Sequence, residues 1–285
     1  MKKKKFEVSS IFIYIVLIFW SLTTIYPIIW VVQNSFKAKD KILANSFSLP
    51  TGELFTLANY RKAFANLNIF GAYKNSIFIS TVVALAVVIL AGMASFALVR
   101  YSFKLKGTLQ SLVMAAMMFP VFATIIPVFS MEAKWGIANT SSWGLTMLSV
   151  ILPQIAGNLA FAIVVLTGFI RGLPIELEEA AYLEGCNVFQ IFYKVVVPLT
   201  KPSFATVAIF SFLWSYNDLF TQMFFLRRPE MRAITRLLNE LTSQEGTNYG
   251  LMAAAVTLVV VPVLIVYIFL QKYIIKGMTA GAVKG

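Results

Sequence analysis

Apolar residues in this chain do not recur at a helical or strand period; they run on without interruption, stop at a short cluster of charge, and start again. No Asp, Glu, Lys or Arg occurs between Lys74 and Arg100, or between Lys106 and Glu132. A helix crossing a bilayer needs about 20 mostly apolar residues, because every backbone amide must bond within the segment once water is gone. Six stretches meet that requirement, near residues 11–32, 75–99, 107–130, 144–169, 203–225 and 248–271, and the fifth contains a single ionisable residue, Asp218. The expected fold is all-α: a polytopic membrane protein with six transmembrane helices, forming a single helical membrane domain over residues 1–285.

Composition removes the soluble alternatives. Hydrophobic residues make up 59% of the chain and charged residues 13%, against roughly 45–50% and about 25% in an ordinary soluble domain. A net charge of +12 would suggest nucleic acid in a soluble protein, but these cations flank apolar runs. Anionic membrane lipid is therefore the expected partner, and nucleic acid is not. One cysteine, Cys186, and no histidine exclude disulfide frameworks, Cys/His metal clusters and histidine-based acid–base chemistry. The sequence has no Gly-x4-Gly-Lys-Ser/Thr phosphate loop, so no catalytic residue, metal or cofactor is expected in this chain.

Orientation follows from the short segments between spans. Lys2 to Lys5 precede the first span, and Arg100, Lys104 and Lys106 crowd the loop between the second and third, which places both in the cytoplasm. Six spans then return the carboxyl end, with Lys272, Lys276 and Lys284, to that side, together with residues 171–201. The first apolar stretch is too long for a secretory signal and lacks a clear small-x-small cleavage site, so it reads as a retained anchor.

The loop at 171–201 is too polar to cross lipid yet suited to a short helix. Pro174 fits a first helical turn, and Glu176, Glu178 and Glu179 complement the positive end of the helix dipole. Gly185 is a plausible stop. Ala181 and Gly185 lie four apart with Ala180 beside them, a patch that another backbone can approach closely. Asn187 is a candidate cap for a second helix running to Pro198. These residues by themselves leave two readings open, an amphipathic connector or a docking element.

Glu179-Ala180-Ala181, then Gly185, then Pro198 stand at the spacing found in binding-protein-dependent ABC permeases, whose cytoplasmic loop carries Glu-Ala-Ala, three residues, Gly, nine residues and Ile-x-Leu-Pro. Val195 and Val197 replace the Ile and Leu. The chain resembles the maltose- and oligosaccharide-type permeases, in particular the smaller partner of that permease pair. Tyr26-Pro27, Asn34 to Lys37, Asn75-Ser76, Ala97 to Arg100, Trp214 to Asp218 and the tail Thr279 to Gly285 extend the likeness over nearly the whole chain. Tyr216 stands where the family usually has a second Trp.

The resemblance implies a type I ABC importer permease in the bacterial cytoplasmic membrane. It implies that Glu179, Ala180, Ala181, Gly185 and Pro198 couple the permease to separate ATP-hydrolysing subunits, which bind the ATP and Mg. Other implied partners are a second, homologous permease and an extracytoplasmic sugar-binding protein. The carried substrate would be a carbohydrate, with a small oligosaccharide ahead of glycerol phosphate or another polyol.

Polar groups inside a span are costly unless they pair or face a cavity. Asn217 and Asp218, with Trp214 and Tyr216 as stacking faces, are therefore candidates for a substrate pathway, as are Gln154 and Asn158 beside Pro153 and Gly157. Interhelical hydrogen bonding is the competing use for each. Pro120 and Pro127 are expected to shape kinks. A rival function, an ion-gradient transporter, often places several ionisable groups mid-membrane and leaves the Glu-Ala-Ala loop unexplained, while nothing in the sequence favours a membrane scaffold without a transport role.

Overall fold

The computed structural model describes residues 8–244 and 248–282, with Val283 to Gly285 of the tail outside them. In chain order its helices are α1 (Val8–Ser35), α2 (Lys39–Ala44), α3 (Ala58–Asn66), α4 (Ile69–Arg100), α5 (Lys106–Met118), α6 (Val121–Lys134), α7 (Trp143–Arg171) and α8 (Glu176–Leu183). They continue as α9 (Val188–Leu199), α10 (Lys201–Asn217), α11 (Leu219–Phe225), α12 (Ile234–Gln244) and α13 (Tyr249–Ala282). No strand occurs among the described residues.

Among the described residues four helices are long and apolar enough to cross a membrane, and six spans result if each of two bent pairs counts as one. The first, second, fourth and sixth predicted spans are single helices. Two others are not continuous, contrary to the simple reading of their apolar runs. The third bends by 101° between α5 and α6, and the fifth is preceded by an 85° elbow between α9 and α10. Pro120 explains the first break: it offers no amide hydrogen and disfavours helical geometry at Phe119, which is extended at φ −79°, ψ 126°. Pro127, expected to kink, remains inside α6. The fifth span is interrupted again at Asp218, whose backbone leaves the helix while its side chain accepts a hydrogen bond from the Thr221 amide at 3.0 Å and starts α11.

The residues group into two units, Met1–Ile69 with Leu238–Val263, and Phe70–Leu237 with Leu264–Gly285. In the first, residues 11–27 of α1 are exposed on every side, which for so apolar a helix requires a non-aqueous environment. Its C-terminal end is tied down by the segment Asn34 to Lys37. Asn59 Nδ2 donates to the Ser35 and Lys37 carbonyls at 2.9 and 2.8 Å, and the hydroxyls of Ser35 and Tyr60 bond at 2.7 Å. Lys37 is wholly buried, its ammonium donating to Asn45 O, Ser46 O and Ser48 Oγ, and burial lowers its pKa. Gly250 passes so close that a Cβ there would lie 2.6 Å from the Lys37 carbonyl.

The second unit is organised around α4, whose 32 residues extend about 48 Å at 1.5 Å per residue. Ile79, Val83, Val87 and Ala91 form an i, i+4 stripe on it, and pack in one core with Met147, Val150 and Leu166 of α7 and Val207 of α10. Each end of α4 is pinned by polar contacts. At the start, Asn75 Nδ2 donates to Arg232 O at 3.1 Å, Asn75 Oδ1 accepts from the Trp143 indole at 3.1 Å, and Ser76 Oγ accepts the Ile234 amide at 2.8 Å. At the other end Arg100 meets α8. The loops at 100–106 and 171–187 therefore share one end of this unit, and the segments around Trp143 and Arg232 share the opposite end.

Candidate functional site

The loop end is built to hold one short helix. Arg100 Nε and Nη2 approach Glu178 Oε1 at 2.8 Å, and Nη2 also donates to the Ile170 and Leu173 carbonyls at 3.1 and 3.0 Å. Those carbonyls belong to the end of α7 and the turn after it; Ile170 O also accepts the Leu173 amide at 3.1 Å, and the guanidinium adds a second donor there. One guanidinium thus joins α4, α7 and α8, with both charged groups largely out of water. Sequence reasoning placed Glu178 at the helix dipole and Arg100 among loop cations; their pairing across 78 positions has no local signal.

The C-terminal end of α8 follows from Gly185. Its φ of 85° is left-handed, open to glycine at no steric cost. The Cys186 amide bonds to Ala181 O and the Gly185 amide to Tyr182 O, both at 3.0 Å, the double bond pattern that closes a helix on a left-handed residue. Asn187 then caps α9 reciprocally: its side chain accepts the Gln190 amide at 2.9 Å and Gln190 Oε1 accepts the Asn187 amide at 2.8 Å. Within α9 the chain widens, the Val197 amide reaching back five residues to Phe192 O. Pro198 follows directly and cannot donate to Lys194, which accounts for the loosened ladder there.

Glu179, Ala180, Gly185 and Pro198 are exposed, whereas Ala181 is buried against the core of the unit. The small-residue patch anticipated from Ala181 and Gly185 is therefore split between inside and outside. The outward face combines Glu179 and Ala180 with Tyr182 and Leu183, the last 87% exposed. Leu183 and the exposed Tyr182 thus stand beside Glu179 and Ala180 with nothing covering them.

Where the three helix irregularities meet, a cavity of about 680 Å³ opens, within the range of small-molecule sites. It lies beside the α5–α6 break, Pro153 and Gly157 of α7, and the α10–α11 break. Gln154, Asn158, Trp214 and Asp218 line it. Tyr216 does not; it is buried and stacks on Phe212 at 6.0 Å. Asn217 is exposed and donates to Leu213 O of its own helix at 2.8 Å, so it too is absent from the lining.

Two kinds of polar residue occur in this lining. Gln154 is fully engaged: Nε2 donates to Asp218 Oδ2 at 2.9 Å, and Oε1 accepts from the Ser215 hydroxyl. Gln222 extends the chain, donating to Ser215 O at 2.9 Å and accepting from Thr235 Oγ1. This network fastens α7 to both sides of the break at Asp218. Asn158 and Glu132 differ. Asn158 Nδ2 donates to Gln154 O at 2.7 Å, but its Oδ1 and Glu132 Oε2 are buried with no hydrogen-bond partner. Glu132 was missed in the sequence because it ends an uncharged run and reads as a boundary; a lone carboxyl within one turn of so long an apolar stretch was the available signal.

Apolar helices enough for up to six spans, two of them broken, with a cavity beside the breaks, define a polytopic helical membrane protein. Residues 88–280 match the family of binding-protein-dependent transport system inner membrane components, and the chain belongs to that family. Over 95% of its length it is 32% identical to a putative ABC transporter permease protein of Caldicellulosiruptor, covering 96% of that relative. It is 30% identical to the arabinooligosaccharides transport system permease protein AraQ of Halalkalibacterium halodurans, with both chains covered completely. The diacetylchitobiose uptake system permease protein NgcG of Streptomyces coelicolor is 31% identical over 93% of this chain and 86% of its own. The fold is also that of a chain in the crystal structure of a bacterial ABC transporter involved in the import of the acidic polysaccharide alginate, with a TM-score of 0.80 at 22% identity, covering 96% of this chain and 99% of that one.

Proposed function

We propose that this chain is one of two permease subunits of an ATP-driven importer that carries a small oligosaccharide across the cytoplasmic membrane by alternating access. The observation that carries the reading is the α8 helix: clamped from behind by Arg100, closed by Gly185, and presenting Glu179, Ala180 and Leu183 outward. A surface fixed so firmly to two long helices can transmit a push or pull from a partner without being deformed by it. The partner is a separate ATPase that binds ATP and Mg, with Glu179 supplying a polar contact and Ala180 permitting close approach. Loop and amino terminus would then face the cytoplasm.

Relatives named for arabinooligosaccharides, diacetylchitobiose and galactooligosaccharides support a sugar cargo, delivered by an extracytoplasmic binding protein. A polyol or glycerol phosphate is the alternative cargo, and gradient-driven transport the alternative mechanism. Reconstitution of the complete importer tests this: ATPase activity should rise when sugar-loaded binding protein is added. Uptake by this chain alone, driven by an ion gradient and indifferent to ATP, would refute it.

A further inference from the structure

We propose that Glu132 and Asn158, at separate points of the cavity wall, take up different hydroxyl groups of an uncharged sugar, and that the cavity wall rejects anionic sugars. The proposal deepens the import reading given above and rests on it. Glu132 is 2% exposed and Asn158 8% exposed, both line the cavity, and each leaves one oxygen without a donor. An unmet buried acceptor costs about 1–3 kcal/mol. A group kept only to join helices would have both ends engaged, as Gln154 does. Asn158 is bonded at nitrogen alone, and its oxygen, like Glu132 Oε2, is closed off here, so a donor entering the cavity reaches each by rotation of its side chain.

Sugar hydroxyls are such donors. Trp135 and Trp214 stand in the same wall, giving flat apolar surfaces for the C–H faces of a pyranose or furanose ring. The wall holds two carboxyl groups, Glu132 and Asp218, and no Lys or Arg among the described residues that line it. A uronate or phosphate entering this space would be desolvated with no cation to compensate it, whatever the protonation of Glu132. Asp218 is committed to Gln154 and to the Thr221 amide, which leaves Glu132 and Asn158 as the binding groups.

The test is sugar binding to the complete importer in nanodiscs, without the binding protein, read by tryptophan fluorescence and by equilibrium dialysis. Maltotriose, β-1,4-galactotriose and arabinotriose are the neutral probes, and trigalacturonate is the acidic one. At least one neutral trisaccharide should bind saturably and trigalacturonate should not. Glu132→Gln and Asn158→Leu should each weaken that binding about tenfold, the loss of one strong hydrogen bond, in complexes that melt at the wild-type temperature. Unchanged affinity in both variants, or trigalacturonate binding as tightly as the neutral probes, would overturn the proposal. So would the absence of any binding in an importer whose ATPase still responds to loaded binding protein; water would then be serving these oxygens, and the import function would stand. Failure of the import function itself is read separately, from loss of that ATPase response.

Discussion

The loop end and the cavity are both unfinished surfaces, but they lack opposite things. Around α8 every described charged group that faces inward is paired, and what remains unmatched is apolar: Leu183, Tyr182 and Ala180 point outward with nothing over them. Around the cavity the apolar wall is in place and what remains unmatched is polar, Glu132 Oε2 and Asn158 Oδ1. Exposed apolar surface on a rigid support suits a protein partner that stays bound. Unpaired acceptors in a sheltered space suit a polar ligand that enters and leaves. Under the proposed function, the contrast gives assembly to one region and passage to the other.

Substitutions separate the two regions by their effect on stability. The largest loss is expected from Arg100→Met, which leaves Glu178 buried and unpaired and removes a donor from the Ile170 and Leu173 carbonyls; about 3 kcal/mol should be lost, seen as a lower melting temperature in detergent and faster amide exchange across residues 171–185. Gly185→Ala comes next. Nothing lies within 4 Å of the added Cβ, so the cost is the left-handed backbone alone, roughly 1–2 kcal/mol, and the same exchange experiment should show it confined to the end of α8. In the cavity, Asn158→Leu should change stability by less than about 0.5 kcal/mol, because it removes an unmet oxygen together with one hydrogen bond, while transport falls. A cavity variant as destabilising as Arg100→Met would dissolve the distinction.

Legibility in the sequence divides along the same line. Gly185, Asn187 and the acidic first turn of α8 act within a few residues of themselves, through backbone conformation, capping and the helix dipole, and were readable in order. Apolar run length was equally local, so the spans were found. The breaks were less visible: Pro120 and Pro127 look alike in sequence, yet only the first interrupts its helix. Asp218 reads as a buried charge in a span and is the cap that ends one helix and begins another. Arg100 with Glu178, and Gln154 with Asp218 and Ser215, are joined only by packing of distant segments. Tyr216 and Asn217, adjacent to two lining residues, are turned elsewhere because consecutive helical positions face different sides.

The most direct test of the central claim, that α8 is a docking surface for an ATPase, is co-purification of the tagged chain from its native cell, wild type beside Leu183→Asp. Leu183 is so exposed that the variant should fold with stability within about 0.5 kcal/mol of wild type. The account predicts that wild type retains a second permease and an ATPase, and that Leu183→Asp retains the permease but loses the ATPase. Equal recovery of the ATPase with both proteins, or a stable wild-type chain that purifies alone, would contradict it.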